Sequence, residues 1–162
     1  MRPVSWRPPV ELSPAEQQIV KRIRRAKLFV LLRQRRHELF SEEFQAELAE
    51  LPKGQPPVAP AQLALALIVQ AYTGASDDEV IEATVMDRRW QLVLDCLDAE
   101  QPPFSKGTLF NFRTRLLKAN LDRRLVEATV ALAASSAAGR QLRAALDSSP
   151  LWGRAGWRTP ST

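Results

Sequence analysis

Apolar residues recur along most of the chain at the three- and four-residue spacing that is typical of amphipathic helices. In the first predicted helix, residues 13–39, one apolar stripe is formed by Ile19, Ile23, Ala26 and Val30. No segment before residue 144 alternates apolar and polar residues over a sustained stretch, as a half-buried strand would. The pattern therefore predicts an all-α fold, a bundle of about seven helices.

Capping residues and helix breakers set the predicted helix boundaries. Ser13 and Ser76 are each followed three residues later by Glu, which is the signature of a capping box. Ser105 suits the N-cap of a later helix, and Gly74 suits a C-terminal cap. The predicted helices cover residues 13–39, 41–50, 60–73, 76–86, 87–97, 105–119 and 121–134, with a further helical stretch at 140–146.

Charged residues fall into three blocks. Residues 1–40 hold ten Lys and Arg against three Glu, and residues 101–162 hold ten against three Asp and Glu. The middle block, residues 41–100, holds twelve Asp and Glu and only three cations, and the whole chain has a net charge of +5. Clustered cations favour a polyanionic partner, of which nucleic acid is the commonest, although a solvated basic surface gives the same pattern.

Other classes of function lack their sequence signals. Cys96 and His37 are single residues of their types, so the chain can form no internal disulfide and no zinc finger. No stretch approaches the roughly 20 apolar residues that span a membrane, and no signal-peptide, phosphate-loop or catalytic-serine motif is present. We therefore expect a cytoplasmic protein with no membrane contact, no metal site and no small-molecule ligand.

Two features resemble sites but have simpler interpretations. Asp77, Asp78 and Glu79 could suggest a metal cluster, yet they lie in the first turn of a predicted helix, where carboxylates interact favourably with the helix dipole. Trp90 could be a stacking platform, but its position favours the core.

The predicted helix 105–119 has the pattern of a DNA-reading helix. Leu109, Phe112 and Leu116 share one face and should pack on the core. The candidate DNA-binding residues lie on the opposite face or at its edge: Lys106, Thr108, Asn111, Arg113, Arg115 and Lys118. Arg can bind guanine edges bidentately and Asn can bind adenine edges, so the helix could occupy the major groove. The preceding helix, 76–86 or 87–97, would support it in a helix-turn-helix-like arrangement; an ordinary basic surface helix is the alternative.

The first predicted helix carries a cationic face that suits DNA phosphates. Its basic residues are Lys21, Arg22, Arg24, Arg25, Arg33, Arg35 and Arg36. Of these, the candidate phosphate contacts are Lys21, Arg22, Arg25 and Arg36. The proline-rich residues 1–12 are predicted to form an extended arm, which could enter a minor groove, pack locally through Trp6 or be disordered.

A series of short motifs carries a family resemblance. In chain order the motifs are GQPP (54–57), QLALALI (62–68), ASDDE (75–79), PFSKGTL (103–109) and FRTRL (112–116). Their order and spacing resemble the helical N-terminal domain of bacterial insertion-sequence transposases of the DDE type (InsH-like), in which an RNase H-like catalytic domain follows. The resemblance extends over about residues 13–152. It implies a domain that binds double-stranded DNA at the terminal inverted repeats of the element.

The same resemblance assigns a role to Asp147. The segment LDSS at 146–149 is similar to the strand that carries the first catalytic aspartate of the family, and Asp147 takes that position. In the family such carboxylates hold the Mg²⁺ ions of two-metal phosphoryl transfer. No Asp or Glu follows Asp147 in this chain, so we expect no strand cleavage and no cofactor for this polypeptide alone.

The end of the chain departs from the family. Where relatives continue with Ala-Gly-Arg-Val-Glu-Asp-Thr, this chain reads RAGWRTP at 154–160, which a shift of one nucleotide could produce. The expected organisation is an extended arm at 1–12, a helical DNA-binding domain at 13–140, the start of a truncated catalytic domain at 141–153 and a frameshifted tail at 154–162. Residues 148–162 are expected to be disordered.

The sequence thus predicts the DNA-binding N-terminal fragment of a transposase, which would contact element ends without cutting or joining strands. A stand-alone helical interaction module is the alternative. In that case the acidic middle block of one copy could pair with the basic blocks of another in a homodimer.

Overall fold

The computed structural model describes residues 6–50, 58–134 and 137–148. These residues form nine α-helices and no strand, which confirms the predicted all-α fold. The helices are α1 (Pro14–Arg22), α2 (Leu28–Leu39), α3 (Glu42–Ala49), α4 (Pro60–Thr73), α5 (Asp77–Met86), α6 (Arg88–Leu94), α7 (Lys106–Lys118), α8 (Leu121–Ala133) and α9 (Ala137–Ser148). No helix of the described residues is long and apolar enough to cross a membrane.

Helix α4 is the centre of the core. Nearly all of its side chains are buried, as expected of a helix that is apolar around its whole circumference. It packs against α3, α5, α6, α7, α8 and α9, and its small alanines let these neighbours approach closely. Gly74 ends the helix in the left-handed conformation, with φ of 74°, where a residue without a side chain avoids strain.

The predicted N-terminal caps are confirmed by their hydrogen bonds. The Glu16 amide donates to Ser13 Oγ at 3.1 Å, and the Glu16 carboxylate accepts from the Ser13 amide at 2.9 Å. Ser76 and Glu79 make the same reciprocal pair at the start of α5. At α7, Ser105 Oγ accepts from the Thr108 amide at 3.1 Å. Three helix starts are therefore fixed by side chains within three residues of one another.

The prediction of one long helix over residues 13–39 is wrong. Helix α1 ends at Arg22, α2 begins at Leu28, and Ala26 between them has a positive φ of 52°. The Arg33 guanidinium lies 2.7 Å from the Glu16 carboxylate, although 17 residues of continuous helix would separate them by about 25 Å. The chain must therefore turn back between α1 and α2. The buried ion pair and the burial of Ile23 and Leu28 offset the cost of the left-handed Ala26, about 1–2 kcal/mol.

The described part of the N-terminal arm, residues 6–12, is irregular and lies against the helices. The Trp6 amide donates to Gln45 Oε1 at 2.9 Å, and Gln45 Nε2 donates to the Trp6 carbonyl at 3.1 Å. The indole packs edge-on against Phe40, with 6.4 Å between ring centroids. Local packing through Trp6 is thus confirmed among the three alternatives for this segment. Residues 1–5 lie outside the described residues.

Helix α9 is longer than the predicted stretch at 140–146, and it continues across the predicted boundary at residue 140. It packs against α4 and α8. At Gly139 an added Cβ would lie 2.2 Å from the Ala133 carbonyl oxygen, so the close approach of α8 and α9 requires glycine. The backbone of Asp147 belongs to the end of α9 and not to a strand. Ser148, expected to be disordered, is the last residue of α9, and the expectations for residues 149–162 lie outside the described residues.

Candidate nucleic-acid interface

Helix α7 has the two faces that its sequence predicts. Leu109, Phe112 and Leu116 are buried, and α7 packs on α4, α5 and α8. On the other side, Lys106, Asn111 and Lys118 are exposed. The helix therefore presents two cations and one amide, the chemistry suited to phosphates and adenine edges.

Two further candidates on α7 are only partly exposed. The Thr108 hydroxyl lies 2.9 Å from Ser105 Oγ, so it takes part in the helix cap. Arg115 is half-buried and interacts within the fold. Thr108 and Arg115 therefore lie beside the exposed residues Lys106, Asn111 and Lys118.

Arg113, predicted from its position on the helix to contact DNA, belongs to a mostly buried network within the fold. Its Nη1 and Nη2 atoms donate to the two carboxylate oxygens of Asp77 at 2.9 and 2.8 Å, and its side chain is only 13% exposed. Gln70 Nε2 donates to Asp77 Oδ1 at 2.7 Å, and Gln70 Oε1 accepts from Arg113 at 3.3 Å. The hydrogen bonds from Arg113 lower the pKa of Asp77 below its ordinary value. Arg113 therefore joins α7 to α4 and α5 and sets how α7 lies on the fold.

The acidic start of α5 has the structural role predicted for it. Asp77 holds Arg113, Asp78 lies 3.0 Å from Lys106, and Glu79 completes the capping box. No group of three or more His, Cys, Asp and Glu within the described ranges could hold a metal ion. The Asp78–Lys106 pair is largely exposed, so its contribution to stability is below about 1 kcal/mol and a phosphate could compete for Lys106.

The support for α7 differs from a simple helix-turn-helix. Helix α5 packs on α7, as one of the two predicted alternatives requires. However, α6 lies between them in sequence, and residues 95–105 connect α6 to α7. That connection is longer than the turn of about three or four residues in a helix-turn-helix motif.

The basic block of residues 21–36 divides into exposed and buried side chains. Lys21, Arg22 and Arg25 are exposed, as their assignment to phosphates requires. Arg36 is buried, which corrects its assignment as a phosphate contact. Its guanidinium donates to the carbonyls of Leu92 (3.2 Å) and Val93 (2.8 Å) at the end of α6 and to the Pro9 carbonyl (3.2 Å).

Burial and ion pairing also shift the pKa values of Arg36 and of Glu16, which pairs with Arg33. Removal from water lowers the pKa of Arg36 to about 10, which still leaves it charged at neutral pH. Arg33 is buried as well and binds Glu16 through Nε (2.7 Å) and Nη2 (3.0 Å). These hydrogen bonds lower the pKa of Glu16 from 4.5 to about 2. Arg33 and Arg36 also donate to carbonyls of residues 9–11, so they hold the N-terminal segment in place.

Sequence reasoning passed over Arg88 and Arg89. They begin α6, far along the chain from residues 21–27, but α1 packs on α6 and brings the two segments together. Asp87 caps α6 by accepting from the Arg89 amide at 2.9 Å, and its carboxylate also holds the Arg89 guanidinium at 2.8 Å. Arg89 lies over the Phe29 ring, 4.9 Å from its centroid. In the sequence, the run Asp87-Arg88-Arg89 is the only local sign of these two cations, and it does not show which distant residues fold next to them.

Trp90, which the sequence allowed as either a stacking platform or a core residue, is buried in the core. It is 3% exposed and packs edge-on against Phe29.

Comparison with known protein families identifies a match for the helical region. The family model described as "Transposase domain (DUF772)" matches residues 14–115, more than half of the chain. The matched region begins at the first residue of α1 and ends within α7. No curated protein and no solved structure matches the chain.

Proposed function

The chain belongs to the transposase domain (DUF772) family, and on that premise we propose that it binds double-stranded DNA as the DNA-binding part of a transposase. The observation that carries the proposal is the geometry of α7. This helix is capped at its start, anchored through Arg113 and exposes Asn111 and Lys118, with Lys106 at the edge of the same polar face. A polar helix face held rigidly on a core is the usual means by which proteins present side chains to a groove.

Within this proposal the residues have separate roles. Asn111 binds a base edge, because an amide can donate to and accept from adenine at once. Lys106 and Lys118 bind the flanking phosphates, with Thr108 and Arg115 at the margins. Lys21, Arg22 and Arg25 add phosphate contacts on the side of the molecule formed by α1.

We further propose that the terminal inverted repeats of an insertion sequence are the target, and that this chain binds them without cleaving them. The proposal rests on the DDE-type resemblance, in which Asp147 supplies one of the carboxylates that hold catalytic Mg²⁺. A single carboxylate does not form a two-metal site. A nicking assay with Mg²⁺ should therefore show no cleavage, and any Mg²⁺-dependent nicking that disappears in D147N would refute this part.

The interaction-module alternative has less support. It relies on the acidic middle block to attract the basic blocks of a second copy. In this fold the two kinds of block already pair within one chain, through Arg7–Glu42, Lys106–Asp78, Arg113–Asp77 and Arg124–Glu47. Less charge is therefore left for a second copy.

The direct test is selection of bound duplexes from a random DNA pool, followed by anisotropy titration of the selected and shuffled sequences. We expect N111A to weaken binding to the selected sequence by about 1–3 kcal/mol and to leave binding to the shuffled duplex unchanged. K118Q should weaken both equally. A wild-type protein that binds no duplex even at 50 mM salt would eliminate the proposal.

A further inference from the structure

A groove of about 300 Å³ lies where the α1–α2 connection meets the start of α6. Ile19 and Ile23, both buried, form its floor. Its other lining residues are all arginines: Arg22, Arg24, Arg25, Arg88 and Arg89. We refer to this feature as the arginine groove.

The arginines fall into two groups by their partners. Arg89 is held by Asp87 at 2.8 Å, and Arg88 lies 4.0 Å from Asp98. By contrast, Arg22, Arg24 and Arg25 are exposed, and no carboxylate among the described residues lies within ion-pairing distance of them. Three uncompensated guanidinium groups therefore surround one groove that no acidic residue lines.

The fold produces this concentration of charge through the break between α1 and α2. Burial of Ile23 anchors the connection to the core, so its neighbours Arg22 and Arg24 remain at the surface beside it. In a continuous helix, successive residues would point about 100° apart and the three arginines would spread around the axis. The break and the contact with α6 place them at one site.

We infer that the arginine groove binds the sugar–phosphate backbone of DNA, an inference that rests on the proposed DNA-binding function. Guanidinium groups match phosphate oxygens bidentately and are more weakly hydrated than ammonium groups, so they suit an anion held over an apolar floor. Arginine can also bind guanine edges, but among the described residues no amide or hydroxyl side chain lines the groove to pair with other bases. We assign its contribution to the phosphate backbone and therefore expect it to be independent of sequence, in contrast to that of α7.

The test compares two triple variants of equal charge. R22Q/R24Q/R25Q removes the three uncompensated arginines, and R123Q/R140Q/R143Q removes three exposed arginines of α8 and α9 as the matched control. Binding of a random-sequence duplex is titrated by anisotropy between 50 and 200 mM salt. Circular dichroism checks that both variants are folded.

We expect the groove variant to reduce the slope of log K against log salt by about 2.7, at about 0.9 for each phosphate contact. When the salt rises from 50 to 200 mM, the ratio of wild-type affinity to variant affinity should therefore fall by about fortyfold. The preference for the selected sequence over the shuffled one should stay unchanged. The control variant should change the slope by much less.

Other results would overturn the inference in distinguishable ways. A groove variant with the wild-type slope, while N111A still loses its preference, would refute the groove and leave the proposed function standing. A wild type that binds no duplex but binds polyglutamate through the same three arginines would refute the proposed function and assign the groove to an acidic protein. If both triple variants lose the same DNA affinity, the effect comes from net charge alone, and the arginine groove is not a binding site.

Discussion

Arg33 and Arg36 belong to the same basic stretch of sequence as Arg22, Arg24 and Arg25, yet their surroundings are opposite. The first two are buried and bind carbonyls and a carboxylate of their own fold. The other three are exposed beside the arginine groove. We refer to the two sets as the inner and outer arginines. A cluster of cations in a sequence therefore does not by itself define a binding surface, because burial can convert part of it into structural support.

The largest expected effect comes from breaking an inner arginine. R33M would leave the Glu16 carboxylate buried without its partner, and loss of one member of a buried ion pair costs about 3–5 kcal/mol. Urea unfolding should show this loss in the free energy of unfolding. R35M is the matched control, since Arg35 pairs with Glu38 at the surface and its loss should be much smaller. Equal losses in the two variants would show that burial does not distinguish the arginines.

The same inner pair should titrate in acid. Glu16 has a pKa of about 2 in the folded protein against 4.5 ordinarily, so the unfolded chain binds its proton first as the pH falls. The stability from this pair is therefore fully present above pH 4.5 and is lost as the pH falls towards 2. We expect the difference in unfolding free energy between wild type and E16Q to shrink over that interval. The effect should be smaller than that of R33M, because a protonated Glu16 can still accept hydrogen bonds. A difference that stays constant with pH would contradict the assignment.

Arg113 offers a test on a different helix. R113K keeps the charge but loses the bidentate contact with Asp77, and we expect a loss of about 2 kcal/mol in stability. Because Arg113 positions α7 without binding DNA itself, affinity should fall while the salt slope stays unchanged. K118Q is the comparison, since it should lower the slope by about 1. A salt slope lowered by about 1 in R113Q, which also removes the charge, would return Arg113 to the set of phosphate contacts.

The smallest expected effect on stability is at the outer arginines. R22Q, R24Q and R25Q should each change the free energy of unfolding by no more than about 0.5 kcal/mol, as is usual for exposed residues without partners. Thermal or urea unfolding of the three single variants gives the measurement. A loss above 1 kcal/mol at any of them would place that residue among the inner arginines.

Sequence reasoning correctly predicted the elements that local interactions determine. The capping boxes at Ser13 and Ser76, the C-cap at Gly74 and the buried face of α7 each depend on residues within one or two helical turns. Such spacing can be read directly because helix geometry fixes which neighbours meet. The all-α class follows from the same periodicity.

Other features depend on contacts between distant residues. No Gly or Pro occurs within residues 23–27 to indicate the break between α1 and α2, which is stabilised by the pairing of Glu16 with Arg33. Likewise, Arg36 is buried because carbonyls at the end of α6 accept its hydrogen bonds, 56 and 57 residues away. Helical periodicity places Arg113 at the edge of the polar face, but Asp77 and Gln70 on two other helices hold it inside.

The sequence by itself therefore determined the all-α class, the helix caps at Ser13, Ser76, Ser105 and Gly74, and the chemistry of the exposed face of α7. Only the tertiary structure decided which arginines are structural and which surround a groove. The physical reason is that helix formation depends on neighbours within about four residues, whereas the burial of a charge depends on partners that folding brings from elsewhere in the chain.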